Sequence, residues 1–150
     1  MRQKIVVPEA PILVESTRSI GYSFEAALAD IIDNSISAGA GKIRVDFQAL
    51  QNPYVCIADD GCGMSLPELE KAMRYGSQSS TEKRSKKDLG RFGLGMKMAS
   101  LSQCRRVTVI SKKNGEIHAA AWDLDYIVST QNWSLQVYAE DEIRTYPGFE

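Results

Sequence analysis

Apolar and polar positions alternate along this chain with two different periods. Between residues 18 and 38, Phe24, Leu28, Ile31, Ile32 and Ile36 recur at helical spacing on one broad face, which predicts an amphipathic helix. Gly39 and Gly41 follow and end it. From Lys42 to Gln48 the period falls to two. Ile43, Val45 and Phe47 alternate with polar residues, as in a half-buried strand. Residues 54–59 predict a second strand. Ser65 is a good N-cap, with Pro67 and Glu68 in the first turn, for a helix reaching about Arg74. A helix over 93–102 comes next, then strands over 107–111 and 117–122. The Lys112-Lys113-Asn114-Gly115 turn joins these two strands, Asn-Gly being a strong hairpin signal. One more strand is expected over 135–139. Residues 1–17 are expected to run as an irregular or extended strap, because Pro8 and Pro11 discourage helix. The order predicts an α+β fold: a two-layer sandwich with helices on one face of a mostly antiparallel sheet.

Residues 76–92 break the pattern. They are mostly polar, rich in Ser, Lys and Arg, and carry Gly76 and Gly90 near their ends. A loop of this length inside a compact domain is usually functional or disordered. Elsewhere the composition is ordinary for a globular chain, with 43% hydrophobic and 25% charged residues over 150 positions, enough for one domain with a real core. The net charge of −1 gives no global basic field that would advertise nucleic-acid binding, although a local patch stays open. Cys56, Cys62 and Cys104 are odd in number and form no Cys-x-x-Cys pair. That disfavours a disulfide framework or a zinc site and fits a reducing cytoplasm. No run approaches the ~20 apolar residues of a membrane span.

Three short motifs carry the chemistry. The first, Asp30-Ile31-Ile32-Asp33-Asn34, puts Asp30 and Asn34 one turn apart on the same helix face, with Ser37 near the same line and Asp33 to one side. An amide oxygen is a hard ligand of the kind Mg²⁺ accepts, with phosphate and water completing the shell. A carboxylate one turn away can polarise a water for attack on a γ-phosphate. The second, Asp59-Asp60-Gly61-Cys62-Gly63-Met64, ends a strand on a carboxylate and then turns on glycines that allow close backbone approach to a flat ligand. Such a carboxylate can accept a hydrogen bond from an exocyclic amine like that of adenine. The third, Gly90-Arg91-Phe92-Gly93-Leu94-Gly95-Met96-Lys97, opens a helix whose free N–H groups suit phosphate oxygens. Each motif alone is equally a polar helix face, a strand-to-helix turn or a glycine loop. In this order they describe a pocket for a nucleoside triphosphate and its magnesium.

In that order the motifs resemble the N, G1 and G2 boxes of the GHKL ATPase superfamily, which includes gyrase B, the ninety-kilodalton heat-shock chaperones, sensor histidine kinases and MutL. Its fold is the Bergerat fold, and the resemblance runs from about Tyr22 to Trp122. The stretch Asp33-Asn34-Ser35-Ile36-Ser37-Ala38-Gly39-Ala40 is most similar to MutL and the MORC ATPases, and the run from Asp88 to Lys97 leans toward MORC-like and related bacterial ATPases. The resemblance implies that Asn34 binds magnesium and that Asp30 stands where the family's general base does. It implies that Asp59 recognises adenine, with Gly61, Gly63 and Met64 lining base and ribose. Gly93, Leu94, Gly95 and Lys97 match the phosphate-binding loop. Residues 76–92 match the ATP lid, hinged at Gly76 and Gly90, with Lys83, Arg84, Lys86, Lys87 and Arg91 as candidates to meet phosphate or a partner.

Two departures stand out. Family ATPases usually carry Glu where this chain has the shorter Asp30, so binding is expected to survive and hydrolysis to be slow. A late Gly-Thr motif that closes the pocket in many relatives is missing, and the chain is short for a complete module, which points to a fragment of a longer protein. The expected function is Mg²⁺-dependent binding and slow hydrolysis of ATP to ADP, with lid closure driving conformational change. A homodimer formed with ATP, with residues 1–20 as the candidate strap, and further domains of the same protein are the implied partners. DNA stays open as a partner and a membrane does not. The alternatives are a nucleotide switch with little hydrolysis and a phosphotransfer module of the histidine-kinase type. For the latter, His118 in a predicted strand is a poor phosphoacceptor. Trp122 and Trp133 read as packing residues, and Cys62 needs no chemistry of its own.

Overall fold

A computed structural model of the chain describes residues 2–4, 8–19, 21–74 and 95–146. Helix α1 (Ala10–Arg18) is the first element. It replaces part of the expected extended strap, because Pro11 falls in the first turn, where its missing N–H and fixed φ cost nothing. Ala10 and Val14 of α1 are buried. Helix α2 (Phe24–Ser37) starts later than its apolar period suggests. Gly21 takes φ +79° and Ser23 caps the new helix, its Oγ accepting from the Ala26 N–H at 3.2 Å. The turn at Gly39, φ +76°, ends it.

Strands β1 (Ile43–Gln48) and β2 (Tyr54–Asp59) form an antiparallel pair, with Ile43 opposite Asp59 and Phe47 opposite Val55. Val45 and Phe47 are more open than their alternation suggests, Phe47 being 75% exposed. Helix α3 (Leu66–Met73) begins on a capping pair: Ser65 N and Oγ both donate to Glu68 Oε2, at 2.7 and 2.8 Å. Helix α4 (Gly95–Gln103) leads into the hairpin of β3 (Arg106–Lys113) and β4 (Glu116–Asp123). Its turn has Asn114 at φ +54° and Gly115 at φ +87°, the left-handed pair a tight hairpin demands. Helix α5 (Leu124–Thr130), the short strand β5 (Gln136–Val137) beside β4, and helix α6 (Glu140–Arg144) complete the order. Neither α5 nor α6 was legible as a helix in the sequence. Asp123 starts α5, its carboxylate accepting from the Asp125 and Tyr126 N–H groups.

The α+β architecture and the antiparallel pairing agree with expectation. The strands form a two-stranded sheet, β1-β2, and a three-stranded sheet, β3-β4-β5. On the face of β4 that carries Ala120 and Trp122, the core gathers Ala10, Val14, Leu69, Met73, Leu101, Leu124 and Ile127. Trp122 stacks edge-on against Trp133 at 6.0 Å, and its Nε1 donates to the Met73 carbonyl at 2.7 Å. Ala119 and Ala121 of β4 are buried as well. Thr108, paired with Ala121, meets the Tyr146 hydroxyl at 2.6 Å, so the short α6 segment adds cover on that side. Among the described residues, no helix is long and apolar enough to cross a membrane.

Two carbonyls at the end of α3 are held by side chains from other elements. Trp122 takes the Met73 carbonyl, and Lys97 of α4 donates from Nζ to the Ala72 carbonyl at 2.5 Å. Lys97 is 2% exposed, and burial lowers its pKa to about 8. Below that pH the lysine is charged both folded and unfolded, and the folded chain carries a desolvation cost on the order of 3 kcal/mol. Between about 8 and the ordinary value of 10.5, the unfolded chain binds the extra proton, so stability rises with pH.

Two outcomes follow for stability. Leu69, fully buried in the core, should cost about 2–5 kcal/mol when cut to Ala, read as a lower urea midpoint. Between about pH 7 and about pH 9.5, the parent chain should gain roughly 2 kcal/mol relative to Lys97→Met. A constant difference across that range would refute the cost assigned to the buried ammonium.

Candidate functional site

The polar edge of α2 forms one wall of the site. Asp30 and Asn34 do share a helix line: Asn34 Nδ2 donates to the Asp30 backbone carbonyl at 3.0 Å. This leaves the amide oxygen of the exposed Asn34 as the atom available to a hard cation. Asp33 is half-buried and Ser37 exposed on the same helix. The predicted apolar stripe is only partly covered, with Phe24 and Ile36 exposed. The positions α2 buries are small, Ala27 and Ser35.

Ser35 explains that burial. Its hydroxyl donates to Asp59 Oδ2 at 2.8 Å, which fixes the rim carboxylate of β2 against the helix. The other oxygen, Oδ1, accepts from the Gly61 N–H at 2.9 Å. Each carboxylate oxygen keeps further acceptor capacity. Asp60 turns the other way and accepts from the Gly41 and Lys42 N–H groups at 2.7 and 2.8 Å. The Lys42 and Gly41 N–H groups hold its carboxyl below the usual range, and the contact joins the entry of β1 to the exit of β2.

The two glycines of this turn serve the fold. A Cβ on Gly61 would stand 2.8 Å from the Ala38 Cβ, and the Cys62 N–H donates to the Ala38 carbonyl at 3.0 Å. A Cβ on Gly63 would stand 2.0 Å from the Lys112 carbonyl oxygen, at φ +65°. Close backbone approach is therefore real at both positions, toward α2 in one case and β3 in the other. Met64 donates its N–H to the buried Ser111 Oγ at 2.7 Å, and its side chain packs against the core.

The third motif reaches the site at its end. Gly90, Gly93, Leu94 and the expected lid, residues 76–92 with its basic side chains, lie outside the described residues. Gly95 opens α4 beside the first motif, and a Cβ there would stand 3.8 Å from Asp30 Oδ2. Helices α2 and α4 pack side by side. Lys97 points elsewhere, with its ammonium on the Ala72 carbonyl, so in this structure its charge serves the end of α3.

Sequence reasoning missed Tyr22. Its hydroxyl donates to Asp30 Oδ2, and that bond, then burial, then the Asp30 charge raise the phenol pKa. It also missed the anchoring roles of Ser35, Asp60 and Ser111. Asp60 was visible inside the second motif and Ser35 directly after the first, but nothing in their spacing pairs a helix hydroxyl with a strand carboxylate. Among the described residues, no group of three or more His, Cys, Asp or Glu side chains could hold a metal. His118 lies in β4 opposite Ser111, 3.5 Å from Glu116. Cys56, Cys62 and Cys104 are free thiols.

Comparison with known proteins identifies the family of the chain. The family model described as histidine kinase-, DNA gyrase B- and HSP90-like ATPase matches residues 22–147. ATPase morc-1 of Caenorhabditis elegans is 30% identical over 95 residues, 63% of this chain and 11% of that protein. The human MORC family CW-type zinc finger protein 1 is 35% identical over 91 residues, 58% of this chain and 9% of that protein. The DNA mismatch repair protein MutL of Trichormus variabilis is 31% identical over 110 residues, 71% of this chain and 19% of that protein. The matched part of the chain thus covers only 9% to 19% of the length of these relatives. With three ordered motifs, two of them joined at one wall and a match over most of its length, the chain belongs to the histidine kinase-, DNA gyrase B- and HSP90-like ATPase family.

Proposed function

We propose that this chain binds ATP as its Mg²⁺ complex and hydrolyses it slowly. The supporting observation is that α2 meets both the second motif and Gly95, the first described residue of the third. Ser35 links α2 to Asp59 at 2.8 Å, and Asp30 Oδ2 lies 3.8 Å from the position a Cβ on Gly95 would take. In this reading Asp59, at the rim of β2, accepts from the adenine amine. The N–H groups at the start of α4 face the phosphates. Asn34 offers its amide oxygen to the metal, a donor that fits an ion otherwise served by phosphate and water. Mg²⁺, when bound with the nucleotide, neutralises phosphate charge and polarises the γ-phosphoryl group. Asp30 accepts the proton of the attacking water. Asp30 and Asp33 would repel bare phosphate, so binding depends on the metal.

The remaining parts of the reading rest on the family. Residues 76–92 act as the lid, and closure over ATP drives dimerisation or movement of further domains. The mismatch-repair name carried by MutL relatives makes DNA the first macromolecular partner to try. Free thiols support a reducing cytoplasm.

A second reading, a nucleotide switch with little hydrolysis, is supported by the short Asp30 carboxylate.

Calorimetry with ATP, with and without Mg²⁺, tests the binding site. Magnesium-dependent binding should weaken about 10- to 100-fold in Asp59→Ala, the loss expected for a hydrogen bond to a charged group. Equal affinity in a variant that still melts cooperatively would remove Asp59 from the site. For hydrolysis, Asp30→Glu should raise kcat roughly tenfold or more if the missing methylene limits proton transfer, with ATP affinity unchanged. An unchanged or lower kcat would show that side-chain length is not what holds turnover down.

A further inference from the structure

We propose that Tyr22 is a positioning residue for Asp30, its hydroxyl holding one carboxylate oxygen so that the other is directed at the attacking water. The proposal rests on the reading of Asp30 as general base. Tyr22 stands just ahead of the α2 N-cap, and its hydroxyl reaches two turns along the helix to donate to Asp30 Oδ2. Its main chain is held separately: Gln103, the last residue of α4, donates from Nε2 to the Tyr22 carbonyl at 2.8 Å. The residue is thus fixed at its backbone by α4 and at its hydroxyl by α2, the two helices between which the phosphates would lie.

The chemistry suits the arrangement. Among the described residues, Tyr22 engages Oδ2 and Asn34 is bonded to the Asp30 main-chain carbonyl instead, so Oδ1 is the less engaged oxygen and the one to take a proton. Gly95 leaves room beside the carboxylate, a Cβ there being at ordinary contact distance, 3.8 Å, from Oδ2. The hydrogen bond to Asp30, partial burial and the Asp30 charge raise the Tyr22 phenol pKa, so it remains a donor across the neutral range. Other titratable groups near α2 are engaged elsewhere among the described residues. Lys97 of α4 is on Ala72, and Asp59 of β2 is on Ser35 and Gly61. Asp33 and Glu25 lie on α2 itself.

Steady-state ATP turnover with Mg²⁺ tests this, comparing the parent with Tyr22→Phe and Asp30→Asn. Tyr22→Phe should lower kcat roughly ten- to a hundredfold, as expected for a base left unaligned, with KM, Mg-ATP affinity and melting temperature unchanged. A residue that merely stabilised the helix start would lower the melting temperature and leave kcat at saturating Mg-ATP unchanged. Turnover that requires Asp30 but shows a normal kcat in Tyr22→Phe would overturn the assignment of Tyr22 alone. Turnover that survives Asp30→Asn, or a parent chain that binds Mg-ATP without turning it over, would overturn the reading of Asp30 as base and the role of Tyr22 with it.

Discussion

The hydrogen bond from Ser35 to Asp59 is the contact on which the candidate site depends. Helix α2 and the β1–β2 pair otherwise meet sparsely, and the bond, at 2.8 Å, joins the first motif to the second. Its neighbourhood is built to keep it. Gly61 lies too close to Ala38 for any side chain, the Cys62 N–H is bound to the Ala38 carbonyl, and Asp60 ties the start of β1 to the end of β2. A short polar side chain at position 35 lets the helix come within reach of the strand, where a larger apolar one would hold them apart.

A second set of contacts secures the other end of the site. The last turn of α3 exposes carbonyls that a helix cannot satisfy internally. Lys97 and Trp122 donate to two of them from different elements. Burying an ammonium is costly, and here the cost is partly offset by a hydrogen bond at the junction of α3 and α4. Arg18 does similar work at the far end of α4, donating to the Leu101 and Cys104 carbonyls. Glu68 begins α3 in a different way. Lys113 of β3 donates to it at 2.7 Å, and the Lys113 bond, with those from Ser65, lowers its pKa to about 2.

Family membership gives these contacts their context. The resemblance to MORC and MutL ATPases drawn from the motifs is matched by identities near 30% to proteins of both kinds. The residues that join the motifs in space bear on how such a pocket is held. Gly61 and Gly63, expected to admit a ligand, first admit the protein's own backbone. Both demands suit glycine, which alone offers close approach without a Cβ.

What the sequence determined by itself was local. The period of 3.6 located α2 and the period of two located β1, although Phe24, Ile36, Val45 and Phe47 of those stripes are exposed. Ser65 with Glu68, and Asn114 with Gly115, placed the start of α3 and the β3–β4 turn to within a residue, because caps and tight turns are decided by neighbours in the chain. The order of the motifs was enough to identify the family. What only tertiary structure decided was everything that depends on distant partners. Helix α1 formed despite Pro11, since a proline in the first turn is tolerated once Ala10 and Val14 have a core to enter. The direction of Lys97 depended on the Ala72 carbonyl, 25 residues earlier in the chain. The pairings of Ser35 with Asp59 and of Gln103 with Tyr22 depended on helices and strands meeting, and no periodicity within one element encodes what another will bring to it.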